Sequence, residues 1–426
     1  MIWCIINDLS SLIQSDDLSE YEQTVFTSSK IGWMRVAKWM LFLWVGILVA
    51  CRAESANQPP TELPTGLVPT IAPTAPIATP TLQPTLPPTN TPPPGFVTIP
   101  PDHPAIKYIG RFDFTDPKQP RFDWPAASIE VRFTGTAVSV LLEDTSNWYN
   151  VYLDDRSFVL PTFYEQHDYL LASHLEAGNH RLRLTKRTEA GVGLGTFRGI
   201  SLPSDSQLLD PYPDAERKIE FIGDSITTGY GSEGNTATCD FSARTQNVEQ
   251  TYAAQTAREL GAEAMITAKS GIGAVRNYAD ANYTSTETMI DLYGRSIAKE
   301  SQTVWDFSRW QPDVVVVNLG TNDFSTTPHP PQETFIGGYT EFLRIIRNNY
   351  PQAHIFAIAG PIMQPPANDY IQGAVSRMND NKIHFVLIEN TLSYETDYGC
   401  DWHPNETGQG KIAVQLIPAI RTIMDW

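Results

Sequence analysis

The sequence predicts two folded domains of different class, an antiparallel β-sandwich over residues 102–208 and an α/β domain with a parallel sheet over residues 209–426. In the first region apolar and polar residues alternate in short runs, which is typical of strands with one buried face. In the second, continuous apolar runs alternate with amphipathic helical stretches. Such runs indicate parallel strands that are covered by helices on both faces.

Composition excludes one class of partner. The chain has 426 residues, a formal net charge of −18 and a pI near 4.8. Nucleic-acid binding requires a basic face, so we expect no nucleic-acid partner. The acidity itself is best explained by solubility.

Residues 1–51 are predicted to be a targeting region. The stretch "MRVAKWMLFLWVGILVAC" begins at Met34 and places Arg35 and Lys38 before the apolar run 39–50. This run is too short to cross a bilayer, which takes about 20 residues, but its layout is that of a secretory signal. Its end, "LVAC", resembles a bacterial lipobox and predicts lipidation of Cys51, with Met34 as the true start. A weak membrane anchor is the alternative; the first interpretation makes the protein a secreted, cell-surface lipoprotein tethered through Cys51.

Residues 52–101 are predicted to be a linker. The segment is rich in Pro and Thr, as in "PTIAPTAPIATPTLQPTLPPTNTPPP". Such a composition cannot bury a core, and its prolines favour an extended, stiff chain. It would hold the folded domains away from the membrane.

The sandwich prediction depends on four alternating segments: "SIEVRFTG", "TAVSVLLED", "WYNVYLDD" and "HRLRLTK". Gly, Asp and Asn separate them, and no helical pattern interrupts them. No cluster of catalytic residue types is recognisable in this region.

The α/β prediction depends on five apolar runs, at residues 219–222, 264–268, 314–319, 355–359 and 385–388. Between them, "EQTYAAQTAREL" is a predicted helix that stops at Gly261. A second predicted helix, "ETFIGGYTEFLRIIRNN", carries a stripe formed by Phe335, Tyr339, Phe342 and Ile346, and it stops before Pro351. In such sheets function gathers at the carboxyl ends of the strands.

Polar and glycine residues follow four of the predicted strands. The first strand ends at "GDS" with Ser225, the second is followed by "SGIG", the third by "GTND" and the fifth by "GCDWHPN" with His403. Each piece alone could be a turn or a helix cap; Asn405, for example, is placed to cap the final helix. Together they supply what acyl transfer needs, since a serine becomes nucleophilic when an imidazole takes its proton and the intermediate needs hydrogen-bond donors.

The strings "FIGDSIT", "SGIGAVRNY", "NLGTND" and "DWHPN" resemble the four sequence blocks of the SGNH hydrolases, or GDSL-type esterases, over residues 217–426. With a β-sandwich in front, "WDFSRWQPDVVVVNLGTNDFS" and "GCDWHP" resemble carbohydrate esterase family 2. The resemblance implies a three-layer, flavodoxin-like SGNH domain preceded by an all-β jelly roll. It also implies deacetylation of plant polysaccharides.

Residue by residue, the resemblance makes Ser225 the nucleophile and His403 the general base. It implies three donors to the oxyanion: the backbone N–H of Ser225, the backbone N–H of Gly273 and the side-chain amide of Asn322. Gly271 is the alternative to Gly273, because the short loop can be aligned in two ways. Tyr278 matches an aromatic residue that lines the sugar site, with core packing as the alternative.

One position departs from the wider superfamily. The aspartate that orients the histidine is usually three residues before it, where this chain has Cys400, and Asp401 lies two residues before. Asp401 is therefore a candidate third catalytic member, while a Ser–His dyad oriented by a backbone carbonyl is the alternative. Cys400 is also a candidate for a disulfide with Cys239, since these are the two cysteines outside the targeting region of an exported protein.

The predicted function is that of a serine acetylesterase acting on xylan or glucomannan through an acyl-enzyme. It needs no metal and no organic cofactor, and we expect a monomer. An SGNH lipase, a thioesterase or a peptidoglycan O-acetylesterase is the second interpretation. A non-catalytic carbohydrate-binding module is the third.

Overall fold

The computed structural model describes residues 87–426. The predicted targeting region, including Met34 and Cys51, and most of the predicted linker lie outside the described residues, so the lipid anchor and export stay predictions. No helix in the described part of the chain is long and apolar enough to span a membrane.

The first domain is built from ten strands. They are β1 (Phe96–Ile99), β2 (Lys107–Ile109), β3 (Arg121–Phe122), β4 (Ser128–Gly135), β5 (Val138–Asp144), β6 (Trp148–Leu153), β7 (Arg156–Pro161), β8 (Glu165–Ala172), β9 (Gly178–Lys186) and β10 (Gly195–Pro203). One antiparallel sheet has the order β1-β10-β5-β8, with β3 also paired to β10, and the other has the order β2-β4-β9-β6-β7. The alternating apolar residues of both sheets, such as Val131, Val140 and Val151, share one buried core, as the period-two pattern predicts.

The predicted boundary of the linker at residue 101 is wrong by several residues. Strand β1 pairs with β10 from Phe96 opposite Pro203 to Ile99 opposite Ile200, and Thr89 forms a bridge with Asp168. The short run "FVTI" follows a series of prolines, and a strand at the edge of a sheet tolerates such neighbours. The last part of the Pro/Thr-rich segment therefore belongs to the sandwich.

The second domain alternates strands and helices. Its elements are β11 (Lys218–Gly223), α1 (Ser225–Thr228), α2 (Tyr252–Leu260), β12 (Glu263–Ala268), α3 (Met289–Leu292), β13 (Val314–Asn318), α4 (Gln332–Asn349), β14 (His354–Ala359), α5 (Ala367–Met378), β15 (Ile383–Leu387) and α6 (Glu406–Met424). All five strands are parallel, in the order β12-β11-β13-β14-β15. The five predicted strands are confirmed, the last beginning two residues before its predicted start.

Each face of the parallel sheet carries its own apolar core. On one face Val315 and Val317 of β13 pack with α4 and α5, and on the other Val314 and Val316 pack with α2 and α6. The predicted stripe of α4 is buried, and α2 ends at Gly261 in the left-handed conformation. The domain is therefore a three-layer α/β/α structure.

A buried charge joins the sandwich to this domain. Arg111, which lies between β2 and β3, donates to Glu220 Oε1 of β11 at 2.8 Å and to the carbonyl oxygen of Arg295 at 3.2 Å. Both side chains of the Arg111–Glu220 pair are fully buried. Four rings surround the guanidinium at 4.9–5.7 Å, those of Trp124, Tyr293, Trp305 and Phe307. The sandwich is thus anchored to the strand that leads to Ser225.

Candidate active site

Ser225 stands in the first turn of α1, directly after β11. Asp224 caps this helix, because its Oδ1 accepts a hydrogen bond from the Ile226 N–H at 3.0 Å. A Cβ at Gly223 would lie 2.1 Å from Thr227 Oγ1, so only glycine allows the helix to start so close to the strand. Only 7% of Ser225 is exposed, at the carboxyl edge of the sheet.

His403 meets Ser225 although 178 residues separate them. Its Nε2 lies 2.8 Å from Ser225 Oγ, and its Nδ1 lies 2.9 Å from the backbone carbonyl oxygen of Asp401. A carbonyl oxygen only accepts, so Nδ1 carries the proton and Nε2 accepts from the serine hydroxyl. Burial lowers the pKa of His403 below its ordinary value and favours the neutral imidazole that can act as a base.

The carboxylate of Asp401 does not orient the histidine. Its Oδ2 accepts from the Tyr230 hydroxyl at 2.9 Å and from the Phe241 N–H at 3.2 Å. Asp401 and Trp402 have φ angles of +52° and +59°, and this left-handed turn directs the Asp401 carbonyl towards His403 and the side chain elsewhere. The prediction of Asp401 as a third catalytic side chain is therefore contradicted, and the alternative of a backbone carbonyl fits the geometry.

The loop that carries His403 is tied to the loop that follows α1. Cys239 and Cys400 form a disulfide with their Cα atoms 4.5 Å apart. Beside it, the Asp401 N–H donates to the Cys239 carbonyl oxygen at 2.9 Å. Gly231 has a φ of +63°, and a Cβ there would lie 2.7 Å from the Cys400 carbonyl oxygen, so glycine is required for the close approach. Asn405 caps α6 just beyond, as predicted, by accepting from the Gly408 N–H at 3.1 Å.

In the loop after β12, the backbone N–H groups of Gly271 and Gly273 differ in whether they are already hydrogen-bonded. The Gly273 N–H donates to Asn277 Oδ1 at 3.0 Å, and Gly273 is buried, so its amide is already satisfied inside the protein. Among the described residues the Gly271 N–H donates no backbone hydrogen bond. The N–H of Ser225, in the first turn of α1, likewise has no acceptor inside its helix. The geometry contradicts Gly273 as an oxyanion donor and favours the alternative, Gly271.

Asn322 follows β13 and lies between this loop and the start of α1. Its Nδ2 donates to the Ile272 carbonyl oxygen at 2.7 Å and lies 3.4 Å from Asp224 Oδ2. One of its two N–H groups is therefore committed to Ile272, and the other, which has only the long 3.4 Å contact with Asp224, is the donor available to a developing negative charge at the edge that carries Ser225.

Two buried aspartates that the sequence did not single out hold this edge together. Asp323 accepts from the backbone N–H groups of three consecutive loop residues, Ala274, Val275 and Arg276, at 2.7–3.0 Å. Burial raises the pKa of Asp323 to about 6 against the effect of these bonds. The pKa of Asp224 is raised to about 7, mainly by burial and to a smaller extent by the negative charge of Asp323. Within residues 87–426 no three His, Cys, Asp or Glu side chains converge as a metal site.

Exposed aromatic side chains stand beside the site. Tyr278 is 68% exposed, which excludes the core-packing alternative, and its N–H donates to the Gly271 carbonyl oxygen at 2.9 Å. Next to His403, Trp402 is half exposed and packs with Tyr394 and Tyr398 at centroid distances of 5.9 and 6.1 Å. Sequence reasoning missed this second group, although an aromatic residue directly before the histidine was a usable signal.

Comparisons with known proteins agree with the two-domain architecture. Residues 108–212 match the family model described as carbohydrate esterase 2 N-terminal, and residues 221–411 match the GDSL-like lipase/acylhydrolase family. The chain is 38% identical over 335 residues to the cellulase/esterase CelE of Acetivibrio thermocellus, covering 76% of this chain but only 40% of that protein. It is 30% identical over 309 residues to an acetylxylan esterase/glucomannan deacetylase of Cellvibrio japonicus, covering 70% of this chain and 84% of the relative.

Solved structures of family two carbohydrate esterases also match the chain. A family two carbohydrate esterase from Clostridium thermocellum in complex with cellohexaose matches with a TM-score of 0.71 and 37% identity, covering 75% of this chain and 99% of that one. A family two carbohydrate esterase from Cellvibrio japonicus matches with a TM-score of 0.72 and 26% identity, covering 78% of this chain and 98% of that one. The chain belongs to carbohydrate esterase family 2.

Proposed function

We propose that this protein is a serine esterase that removes O-acetyl groups from plant cell-wall polysaccharides such as xylan and glucomannan. The observation that carries this proposal is the pair of contacts of His403, 2.8 Å from Ser225 Oγ through Nε2 and 2.9 Å from a carbonyl oxygen through Nδ1. The names of the relatives, acetylxylan esterase/glucomannan deacetylase and family two carbohydrate esterase, support the substrate class.

In the first half of the reaction, His403 Nε2 takes the proton of the Ser225 hydroxyl as Oγ attacks the acetyl carbonyl carbon. The carbonyl oxygen becomes an oxyanion that accepts hydrogen bonds from the N–H groups of Ser225 and Gly271 and from the Asn322 amide. The intermediate then collapses: the bond to the sugar oxygen breaks, and that oxygen receives the proton from His403. Acetyl-Ser225 and a free sugar hydroxyl remain.

In the second half of the reaction, a water molecule takes the place of the Ser225 hydroxyl as the nucleophile. His403 takes one proton from the water, the hydroxide oxygen attacks the acetyl carbon, and the same donors stabilise the second oxyanion. The ester bond to Ser225 breaks, Oγ regains the proton and acetate leaves. The Asp401 carbonyl oxygen keeps Nδ1 protonated and the ring in place through both halves.

The polysaccharide is proposed to lie across the aromatic side chains that flank the serine. Tyr278 and Trp402 offer exposed ring faces, and an apolar face of a sugar ring can pack on such a surface. The loop after β12 that carries Ser270 and Gly271 is the oxyanion loop, and the Tyr278 N–H joins Tyr278 to it by donating to the Gly271 carbonyl oxygen. A sugar held there would be in reach of the serine.

Three further properties are part of the proposal. The N-terminal sandwich is a jelly roll, supported by its two five-stranded antiparallel sheets and by the match to the family's N-terminal model. The mature chain is tethered to the cell surface through Cys51, supported by the "LVAC" motif. It acts as a monomer, with one complete Ser225–His403 site per chain.

Release of acetate tests the function. Purified protein is incubated with acetylated xylan and acetylated glucomannan, and acetate is measured for the wild type and for Ser225→Ala. The proposal requires acetate release that the substitution abolishes. Retention of either polysaccharide without any acetate would instead identify a binding module, and hydrolysis of long-chain esters alone would identify a lipase.

A further inference from the structure

We propose that Glu189 of the β-sandwich is a positioning residue of the esterase site, and that it holds Ser270 so that the N–H of the next residue, Gly271, points at the oxyanion. This inference rests on the proposed function. It gives the N-terminal domain the role of positioning an oxyanion donor.

Glu189 leaves the sandwich in the connection 187–194, between β9 and β10, and is 4% exposed. Its Oε2 accepts from the backbone N–H of Ser270 at 2.6 Å, and its Oε1 accepts from the hydroxyl of the same serine at 2.5 Å. Both carboxylate oxygens thus accept from Ser270 of the α/β domain, and Oε1 also accepts from Gln246 Nε2 at 3.3 Å. A charged acceptor forms stronger hydrogen bonds than a neutral one, so this contact is a firm restraint on Ser270.

Ser270 directly precedes the glycine whose N–H donates no backbone hydrogen bond among the described residues. Gly271 has a φ of +75°, in a region that only glycine enters freely, and it has no side chain to fix its peptide. The direction of its N–H therefore depends on how its neighbours are held. On one side Glu189 holds Ser270, and on the other Asn322 holds the carbonyl of Ile272.

Glu189 is itself fixed from both sides. Its N–H donates to Gln246 Oε1 at 3.2 Å, and its carbonyl oxygen accepts from the buried ammonium group of Lys186 at 3.1 Å. Gln246 Nε2 also lies 3.4 Å from the Thr228 carbonyl oxygen, at the end of the helix that carries the serine. One network therefore joins the sandwich, the nucleophile helix and the oxyanion loop.

Loss of this restraint should lower kcat, which reports the chemical step, and should leave KM nearly unchanged. Removing one oxyanion donor costs about 100- to 1,000-fold in kcat, and a donor that is present but poorly aimed should cost less. We expect kcat to fall about 10- to 100-fold in Glu189→Ala, with KM within about twofold of the wild type, because the interaction is made in the transition state. Glu189→Gln keeps one acceptor oxygen, so its kcat should lie between those of the wild type and Glu189→Ala.

The chain offers a matched control in Asp123. This carboxylate also belongs to the sandwich, is fully buried and accepts from two backbone N–H groups of the α/β domain, those of Ala298 at 2.9 Å and Lys299 at 3.3 Å. It does not touch the oxyanion loop. Asp123→Asn should lower the melting temperature while kcat stays within about twofold of the wild type.

The decisive measurement compares phenyl acetate with phenyl thionoacetate, in which sulfur replaces the carbonyl oxygen. Well-aimed N–H donors favour oxygen over sulfur, so the ratio of the two kcat values reports the oxyanion site and not general stability. We expect this ratio to fall about tenfold in Glu189→Ala, to fall less in Glu189→Gln, and to be unchanged in Asp123→Asn.

An active wild type together with an unchanged oxygen-to-sulfur ratio in Glu189→Gln would overturn this inference and leave the esterase function standing. If Glu189→Ala does not fold, Glu189→Gln decides. A wild type that hydrolyses neither the aryl acetate nor acetylated polysaccharide would overturn the proposed function, and this inference with it.

Discussion

The backbone carbonyl oxygen of Asp401 lies 2.9 Å from Nδ1 of His403, while the carboxylate of the same aspartate bonds to Tyr230 and Phe241. The orienting group of the histidine is therefore part of the main chain. Asp401→Asn should keep kcat within about fivefold of the wild type, because the carbonyl is unchanged and no catalytic proton passes through the side chain. The measurement is acetate release at saturating substrate.

His403→Ala and Ser225→Ala are the matched comparisons. Each removes one member of the pair and should lower kcat by at least about 1,000-fold, since members of such a unit fail together. A loss of the same size in Asp401→Asn would restore the aspartate as a third catalytic side chain.

The pH profile should follow the imidazole of His403. Burial lowers its pKa below the ordinary value of 6.5, and the base must be neutral to accept a proton. Activity should therefore be retained above that value and fall as pH drops through the lowered pKa, so the midpoint of the acidic limb of kcat/KM lies below pH 6.5.

The variant Asp401→Asn tests the direction in which the Asp401 charge shifts the pKa of His403. The negative charge of Asp401 raises the pKa of His403 and opposes part of the effect of burial. Its removal should move the acidic limb to lower pH still. A shift to higher pH would contradict the assignment of the limb to His403.

The location of the site was predictable because parallel strands bring their carboxyl ends to one edge. Ser225, Asn322 and His403 each follow a strand in the chain, so their meeting needed only the correct strand assignments. These depended on long apolar runs, where periodicity and composition are strongest. The fold and the Ser225–His403 pair were accessible from the sequence for this physical reason.

Other features depend on interactions that the sequence does not display. The direction of the Asp401 side chain is decided by two left-handed residues, and the choice between Gly271 and Gly273 by one hydrogen bond from the Gly273 N–H to Asn277 Oδ1. Glu189 reaches the site from another domain, 81 residues before its partner Ser270. None of these contacts follows from spacing along the chain.

The disulfide between Cys239 and Cys400 should stabilise both the fold and the histidine loop. It closes a loop with a sequence separation of 161 residues. On the chain-entropy model such a bond is worth about 5 kcal/mol, less any strain. The double variant Cys239→Ala/Cys400→Ala should have a clearly lower melting temperature and a reduced kcat, both measured against the oxidised wild type.

Reduction and alkylation of the wild type provide the independent check. The denatured, unreduced protein should expose neither thiol to the alkylating reagent, and reduction should make both available. Alkylation of Cys239 or Cys400 without a reductant would contradict the bond.

The buried pair Arg111–Glu220 should be important for stability. Both side chains are fully buried, and Glu220 also accepts from Tyr293 and Thr267 hydroxyls at 2.9 and 2.7 Å. Arg111→Met would leave a carboxylate without its cation and should lower the free energy of unfolding by about 3–5 kcal/mol. Denaturant unfolding measures the change.

The exposed pair Arg344–Glu341 is the control, because both of its side chains are more than half exposed. Arg344→Ala should change the free energy of unfolding by less than about 1 kcal/mol. Adding Glu220→Gln to Arg111→Met should recover part of the loss, since no unpaired charge then remains. Equal losses of unfolding free energy in Arg111→Met and Arg344→Ala would show that the buried interdomain pair contributes no more to stability than an exposed pair.

Tyr278 should contribute to polysaccharide binding and not to the chemical step. Its ring is 68% exposed, and its main chain is bonded to Gly271, so Tyr278→Ala removes the ring while the backbone contact can remain. We expect KM for acetylated glucomannan to rise about tenfold, equivalent to about 1.4 kcal/mol, while kcat for phenyl acetate stays within about twofold. Tyr164, on the sandwich and 69% exposed, is the control, and Tyr164→Ala should change neither constant. A rise in KM of equal size for phenyl acetate would indicate that Tyr278 acts on binding of the acetyl ester itself and does not hold the sugar chain.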